Sequence, residues 1–150
     1  MLEAAQTMLA TGLCVLPARR DQKRPALGCW KRFQSRLPTS NQVEQWFSGD
    51  VDAICVVTGK VSGNLELIDF DFGAELFEDW AAQVPADLLR RLVIARSQSG
   101  GRHVLYRCEG TVGGNMKLAQ NWRDGKMVTL IETRGEGGLF LCHPTLGYTI

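Results

Sequence analysis

Apolar positions in this chain fall into short runs separated by glycine and proline, and the period of each run predicts an element. Leu2 to Ala10 combines helical spacing with strong helix formers, and Gly12 stops it before a short apolar strand, Leu13 to Leu16, closed by Pro17. Residues 18–38 contain Pro25, Gly28 and Pro38 and predict a long loop, of a length that is usually functional or mobile. Thr39 followed by Gln42 has the form of a capping box, so Ser40 to Phe47 is predicted as a short helix with Val43, Trp46 and Phe47 facing inward.

Ala53 to Val57 and Leu65 to Phe72 are β-branched, apolar or aromatic runs around Gly59, Ser62, Gly63 and Asn64, which predicts a hairpin. Glu75 to Val84 has helical character and Pro85 interrupts it. Ala86 to Leu92 continues for a turn or two before a strand at Val93 to Ser97. The turn Ser99, Gly100, Gly101 leads into a strand from Arg102 through Cys108. A polar, glycine-containing stretch follows, and Val128 to Thr133 with Leu139 to Cys142 predict a last strand pair. Few helices among many strands predict an α+β domain dominated by antiparallel pairing.

At 150 residues, with 45% apolar and 22% charged positions, the chain has the size and composition of one folded domain rather than a disordered or fibrous polymer. No apolar run approaches the ~20 residues that span a bilayer. Glu3 stands where a signal peptide carries positive charge, so a soluble cytoplasmic protein is expected, with no membrane partner. Five separated cysteines without a CxxC pair argue against a disulfide framework and against structural zinc.

Charge is unevenly placed although the net value is only +1. Residues 19–36 hold Arg19, Arg20, Lys23, Arg24, Lys31, Arg32 and Arg36 against the single acid Asp21, whereas residues 37–90 are strongly acidic. The basic segment, with Trp30 and Phe33 among its charges, suits a phosphate backbone and a stacked base, or else a solvated loop.

The segment LELIDFDF is the most informative. Strand periodicity puts Asp69 and Asp71 on one face with their Cα atoms roughly 6–7 Å apart, a spacing at which two carboxylates can share hard divalent cations. Aspartate is disfavoured in strands and two buried like charges need compensation; the alternative is that the strand ends near Asp69 and both acids are solvated. His103 follows the Ser99–Gly101 turn, where exposed N–H groups and an imidazole can hold phosphate oxygens, or where the histidine is only a polar cap on a hairpin. Glu132 is a third acid in an apolar run, partnered either by a metal or by Arg134 two residues on.

The succession LIDFD, SGGRH and IETRG, together with KRPALGCWKRFQSRLPT, ICVVTG and GEGGLFLCHPTLGYT, resembles the primase-polymerase domains of the archaeo-eukaryotic primase superfamily. Such domains occur at the N-terminus of bifunctional DNA primase/polymerases of phages and plasmids, and the resemblance covers most of the chain.

The resemblance implies template-directed nucleotidyl transfer in replication of a mobile element. It implies an N-terminal α/β portion packed on an antiparallel sheet related to the RNA-recognition-motif fold, with the site in the cleft between them. By similarity, Asp69, Asp71 and Glu132 bind two divalent ions, Mg²⁺ or Mn²⁺, and His103 holds the incoming NTP or dNTP. Ser99, Gly100 and Gly101 lie along the triphosphate, with Lys117 and Arg134 as phosphate ligands. The family's second motif often has a small hydroxyl residue two positions before the histidine; Gly101 stands there in this chain, with Ser99 as the nearby hydroxyl. Lys23, Arg24, Trp30 and Lys31 are expected on the DNA template or primer, and a helicase domain or subunit is an expected partner. Because a complete domain of this kind continues beyond Tyr148–Ile150, a C-terminally incomplete domain is expected, either a fragment or a shortened form. The competing expectations are a catalytically inactive binding module of the same fold and a metal-dependent phosphodiesterase.

Overall fold

A computed structural model describes all 150 residues as two antiparallel sheets with short helices between and around them. The first sheet contains β1 (Cys14–Arg19), β2 (Arg24–Pro25), β3 (Ala53–Val57) and a strand from the far end of the chain, Leu139–Cys142, in the order β2, β1, β3, Leu139–Cys142. All five residues of β3 and the first five of β1 are buried, because both faces of this sheet are covered. On one face Val15, Ile54, Val56 and Phe140 pack with Ala5 of α1 (Leu2–Ala10) and with Val43 and Phe47 of α2 (Ser40–Phe47). On the other, Cys14, Leu16, Cys55, Val57 and Leu141 pack with Phe33 and Tyr148.

Helix α2 begins where the sequence places it. Thr39 Oγ1 accepts from the Gln42 N–H at 3.2 Å, and Gln42 Oε1 accepts from the Thr39 N–H at 3.0 Å. Thr39 is exposed, so Thr39→Ala removes the cap without repacking anything. It is expected to cost about 1 kcal/mol, read as a lower urea midpoint at unchanged slope.

Residues 18–38 are more ordered than the predicted loop. They form the β1–β2 hairpin, with Ala18 opposite Pro25, and a 3₁₀ helix at Trp30–Gln34 that buries Phe33 completely. The Arg32 and Arg36 guanidiniums lie over the Phe33 ring, 4.9 and 5.6 Å from its centre. Part of the basic run is therefore bound to the protein's own core.

The second sheet holds β4 (Leu65–Phe70), β5 (Val93–Arg96), β6 (Arg102–Arg107), β7 (Lys117–Arg123) and β8 (Lys126–Arg134), in the order β5, β6, β4, β8, β7. Its back is covered by α3 (Phe77–Ala81), whose Phe77 packs with Trp80, Phe70 and Val104; α4 (Ala86–Leu89) follows before β5. The strand Leu139–Cys142, in the first sheet, is β9. No helix is long and apolar enough to cross a membrane.

Two predicted hairpins are corrected. Strands β3 and β4 belong to different sheets and form no ladder with each other, because the 3₁₀ turn Lys60–Ser62 carries the chain across. An isolated Gly59–Leu65 bridge just after β3 and the shared packing of Ile54, Val56, Leu65 and Leu67 connect them. Likewise β8 and β9 do not pair: β9 returns to β3, with Phe140 opposite Val56. The first sheet is thus not purely N-terminal. The polar stretch before β8 contains the unpredicted edge strand β7, joined to β8 by Asp124 and Gly125, both with positive φ. The predicted helix at 75–84 is reduced to α3, and the strand ending at Phe72 ends at Phe70.

Candidate active site

Register brings the chemistry into one row. His103 of β6 lies opposite Asp69 of β4, Asp69 lies opposite Glu132 of β8, and Glu132 lies opposite Lys117 of β7. Directly opposed residues of antiparallel strands project from the same face, so four side chains from four strands line up on one side of the sheet. Asp71 joins them from just past the end of β4. Its backbone stays extended (φ −83°, ψ −176°), and its N–H donates to the Leu130 carbonyl of β8 at 3.0 Å. After it Phe72, Gly73 and Ala74 all take positive φ and turn the chain away.

Carboxylate oxygens of Asp69, Asp71 and Glu132 all lie within 4.8 Å of one another. Burial and its neighbour Glu132 push the Asp69 carboxyl above the usual carboxylate range, against the pull of Arg134. Burial and Asp69 push Asp71 the same way, opposed by Lys23. Three hard oxygen donors, close together and short of compensating charge, fit a divalent ion such as Mg²⁺ or Mn²⁺.

Arg134 supplies part of the compensation. Its Nη2 donates to Glu132 Oε1 at 2.5 Å and to Asp69 Oδ2 at 3.4 Å. Of the two partners expected for Glu132, Arg134 is the one it meets in the structure, and its carboxylate also stays within reach of the aspartates. His103 Nε2 is 3.5 Å from Asp69 Oδ1. Burial, with the Arg134 charge, lowers the His103 pKa to about 4, so the ring is neutral near pH 7 and offers one N–H donor and one acceptor.

This face opens into a cavity of about 430 Å³, within the usual range for small-molecule sites. Asp69, Asp71, Ser99, His103 and Arg134 line it, and so do Lys23 and Trp30 from the basic segment. Other expected residues stand off its wall. Lys117 is exposed beside Glu132, Arg24 donates from Nε to Gln22 Oε1, and Lys31 is exposed on the 3₁₀ helix. Gly100, with φ +85°, and Gly101 shape the turn without lining the cavity. A Cβ on Gly101 would lie 2.4 Å from the Phe70 carbonyl oxygen, which explains glycine at the position where a hydroxyl residue was expected from the resemblance.

Sequence reasoning assigned no role to Ser97, Asn115 or Tyr148, all of which line the cavity. The Ser97 hydroxyl is 3.2 Å from that of Ser99, and Asn115 Oδ1 accepts from the Gly135 N–H at 2.9 Å. Tyr148 packs against the His103 ring at 6.0 Å between centres. Only its place in the GYT segment hinted at it.

A comparison with curated proteins gives no match. Residues 5–149 match the family model described as bifunctional DNA primase/polymerase, N-terminal. With the match running over nearly the whole chain, and both sheets and the acidic cluster inside it, this protein belongs to the bifunctional DNA primase/polymerase N-terminal family.

Proposed function

We propose that the chain extends a nucleic-acid strand by template-directed nucleotidyl transfer, as a DNA primase/polymerase, with its reacting groups held at Asp69, Asp71 and Glu132. Family membership already places it with primase/polymerase-type nucleotidyl transfer, whose substrates are nucleic acid and nucleotides. The cross-strand row of His103, Asp69, Glu132 and Lys117, beside Asp71, is the observation that carries the finer reading.

In the reaction a 3′-hydroxyl attacks the α-phosphate of an incoming nucleotide, the P–O bond to the β-phosphate breaks, and pyrophosphate leaves. Two divalent ions, Mg²⁺ or Mn²⁺, held by Asp69, Asp71 and Glu132, would lower the pKa of the attacking hydroxyl and neutralise charge on the leaving oxygens. The neutral His103 ring donates a hydrogen bond to a phosphate oxygen. Arg134 balances the carboxylates in the metal-free protein, and its guanidinium is available to phosphate when cations take over that task. Ser99 borders the same cavity. Arg24 and Lys31, exposed on the basic segment, meet the backbone of template or primer. We also relate the second sheet to the RNA-recognition-motif fold. The order β4, helices, β5, β6, with β8 beside β4, supports that relation. The phage and plasmid setting, with a helicase partner, follows from the resemblance alone.

Primer extension with Mn²⁺ or Mg²⁺ tests the reading: a labelled primer on a template lengthens with wild type and does not with Asp69→Ala/Asp71→Ala. The pairing of Arg134 with both Glu132 and Asp69 favours a second reading, a binding module that holds nucleotide without turning it over. In that case neither protein gives metal-dependent product.

A further inference from the structure

Lys23 sits in the turn between β1 and β2 with φ +49°, a left-handed backbone that glycine adopts freely and lysine does not. The turn is exposed, so folding alone gives no reason for lysine there. Its side chain lines the cavity that contains Asp69, Asp71 and His103, and its positive charge acts on all three. Trp30 is half-buried, packs against the cluster that includes Leu141 and Tyr148, and lines the same cavity. Arg24 and Lys31, in the same basic segment, lie off the cavity wall. The segment thus divides into an inward pair and an outward pair.

We propose that Lys23 and Trp30 bind the incoming nucleotide, Lys23 at a phosphate and Trp30 against the base, and that only the outward pair serves the strand. The assignment rests on the nucleotidyl-transfer reading. A half-open space of about 430 Å³ has the size of a small-molecule site and suits one nucleotide better than a continuous strand. A triphosphate entering beside the two carboxylates that line this cavity, Asp69 and Asp71, needs cationic side chains, and Lys23 joins Arg134 in meeting that need. A site that accepts any base in turn needs a contact blind to base identity, which an indole face provides because every base has a π face.

Lys23→Gly removes the ammonium and suits the left-handed turn; Lys23→Asn, also tolerant of that turn, is the second variant. Trp30→Leu keeps apolar packing and removes the stacking face. Wild type and variants are titrated in Mn²⁺ with dGTP, with inorganic tripolyphosphate and with a fluorescent single-stranded oligonucleotide, alongside a thermal midpoint for each. Both Lys23 variants are expected to weaken dGTP and tripolyphosphate about tenfold at a midpoint no lower than wild type. Trp30→Leu weakens dGTP about tenfold and leaves tripolyphosphate unchanged. All leave the oligonucleotide unchanged. Loss of oligonucleotide affinity, alone or together with dGTP affinity, overturns the assignment. Wild-type dGTP binding matched by the variants overturns it while leaving the nucleotidyl-transfer reading intact, whereas failure of wild type to bind dGTP removes both.

Discussion

Asp69→Asn is expected to reduce metal-dependent primer extension by roughly 10³-fold or more and, at the same time, to raise the thermal midpoint of the metal-free protein near pH 7. The two effects have one origin. Asp69 occupies the centre of the row, 9% exposed, with Glu132 opposite it on one side and His103 on the other. Burial, with Glu132, lifts its folded pKa above the ordinary value despite Arg134. A raised folded pKa means that the group favours folding below its unfolded pKa and that this contribution is lost as pH rises through the folded pKa. At neutral pH the ionised carboxylate therefore weighs against the fold, and the isosteric amide relieves that cost. The matching check is a titration of Mg²⁺ during thermal unfolding. Wild type gains midpoint with added ion, since a ligand that binds only the native state stabilises it by mass action, and Asp69→Asn gains little.

His103→Ala is expected to raise the nucleotide KM by roughly tenfold to a hundredfold, the range for losing a hydrogen bond to a charged group. His103→Gln, which retains a donor, recovers part of the loss. His103 is 6% exposed, and its ring packs edge-on against Phe140 at 5.8 Å between centres. Burial, then Arg134, lowers its pKa to about 4, so proton NMR of the metal-free protein should show the His103 ring still neutral at pH 6. The depressed value also sets a sign. His103 contributes stability that is present above the unfolded value near 6.5 and is lost as pH falls toward about 4. This runs opposite to Asp69, and comparing pH–stability curves of wild type with each variant separates the two groups.

Local signals were well written into the sequence. Thr39 and Gln42 define the start of α2 through bonds within four residues, and nothing distant alters them. The aspartates stood out because carboxylates do not belong in an apolar strand unless something compensates them. Strand partners were harder to read. The runs 53–57 and 65–70 flank glycines as a hairpin does, yet every residue of β3 is buried, as befits a central strand with both faces covered and with β1 and β9, not β4, as its hydrogen-bonded neighbours. Strand β7 was illegible for the reverse reason. Lys117–Arg123 is an edge with mostly exposed residues and no clean alternation, and only Asp124-Gly125 marks its turn. In the site, Lys23 could be recognised as basic but not as inward-facing, because a turn's direction depends on where β2 docks. The dual pairing of Arg134 was also hidden: spacing shows its proximity to Glu132, but the Asp69 contact depends on the β4–β8 register.

The central proposition is that Asp69, Asp71 and Glu132 together form one cation site, and Mn²⁺ binding to the nucleotide-free protein addresses it most directly. Calorimetric titration, repeated by electron paramagnetic resonance of the free ion, is carried out on wild type and on Glu132→Gln. The expected result is saturable Mn²⁺ binding by wild type that weakens about tenfold or more when Glu132 loses its charge. Wild type that leaves Mn²⁺ free in solution, or Glu132→Gln that binds it as wild type does, would contradict a shared three-carboxylate site.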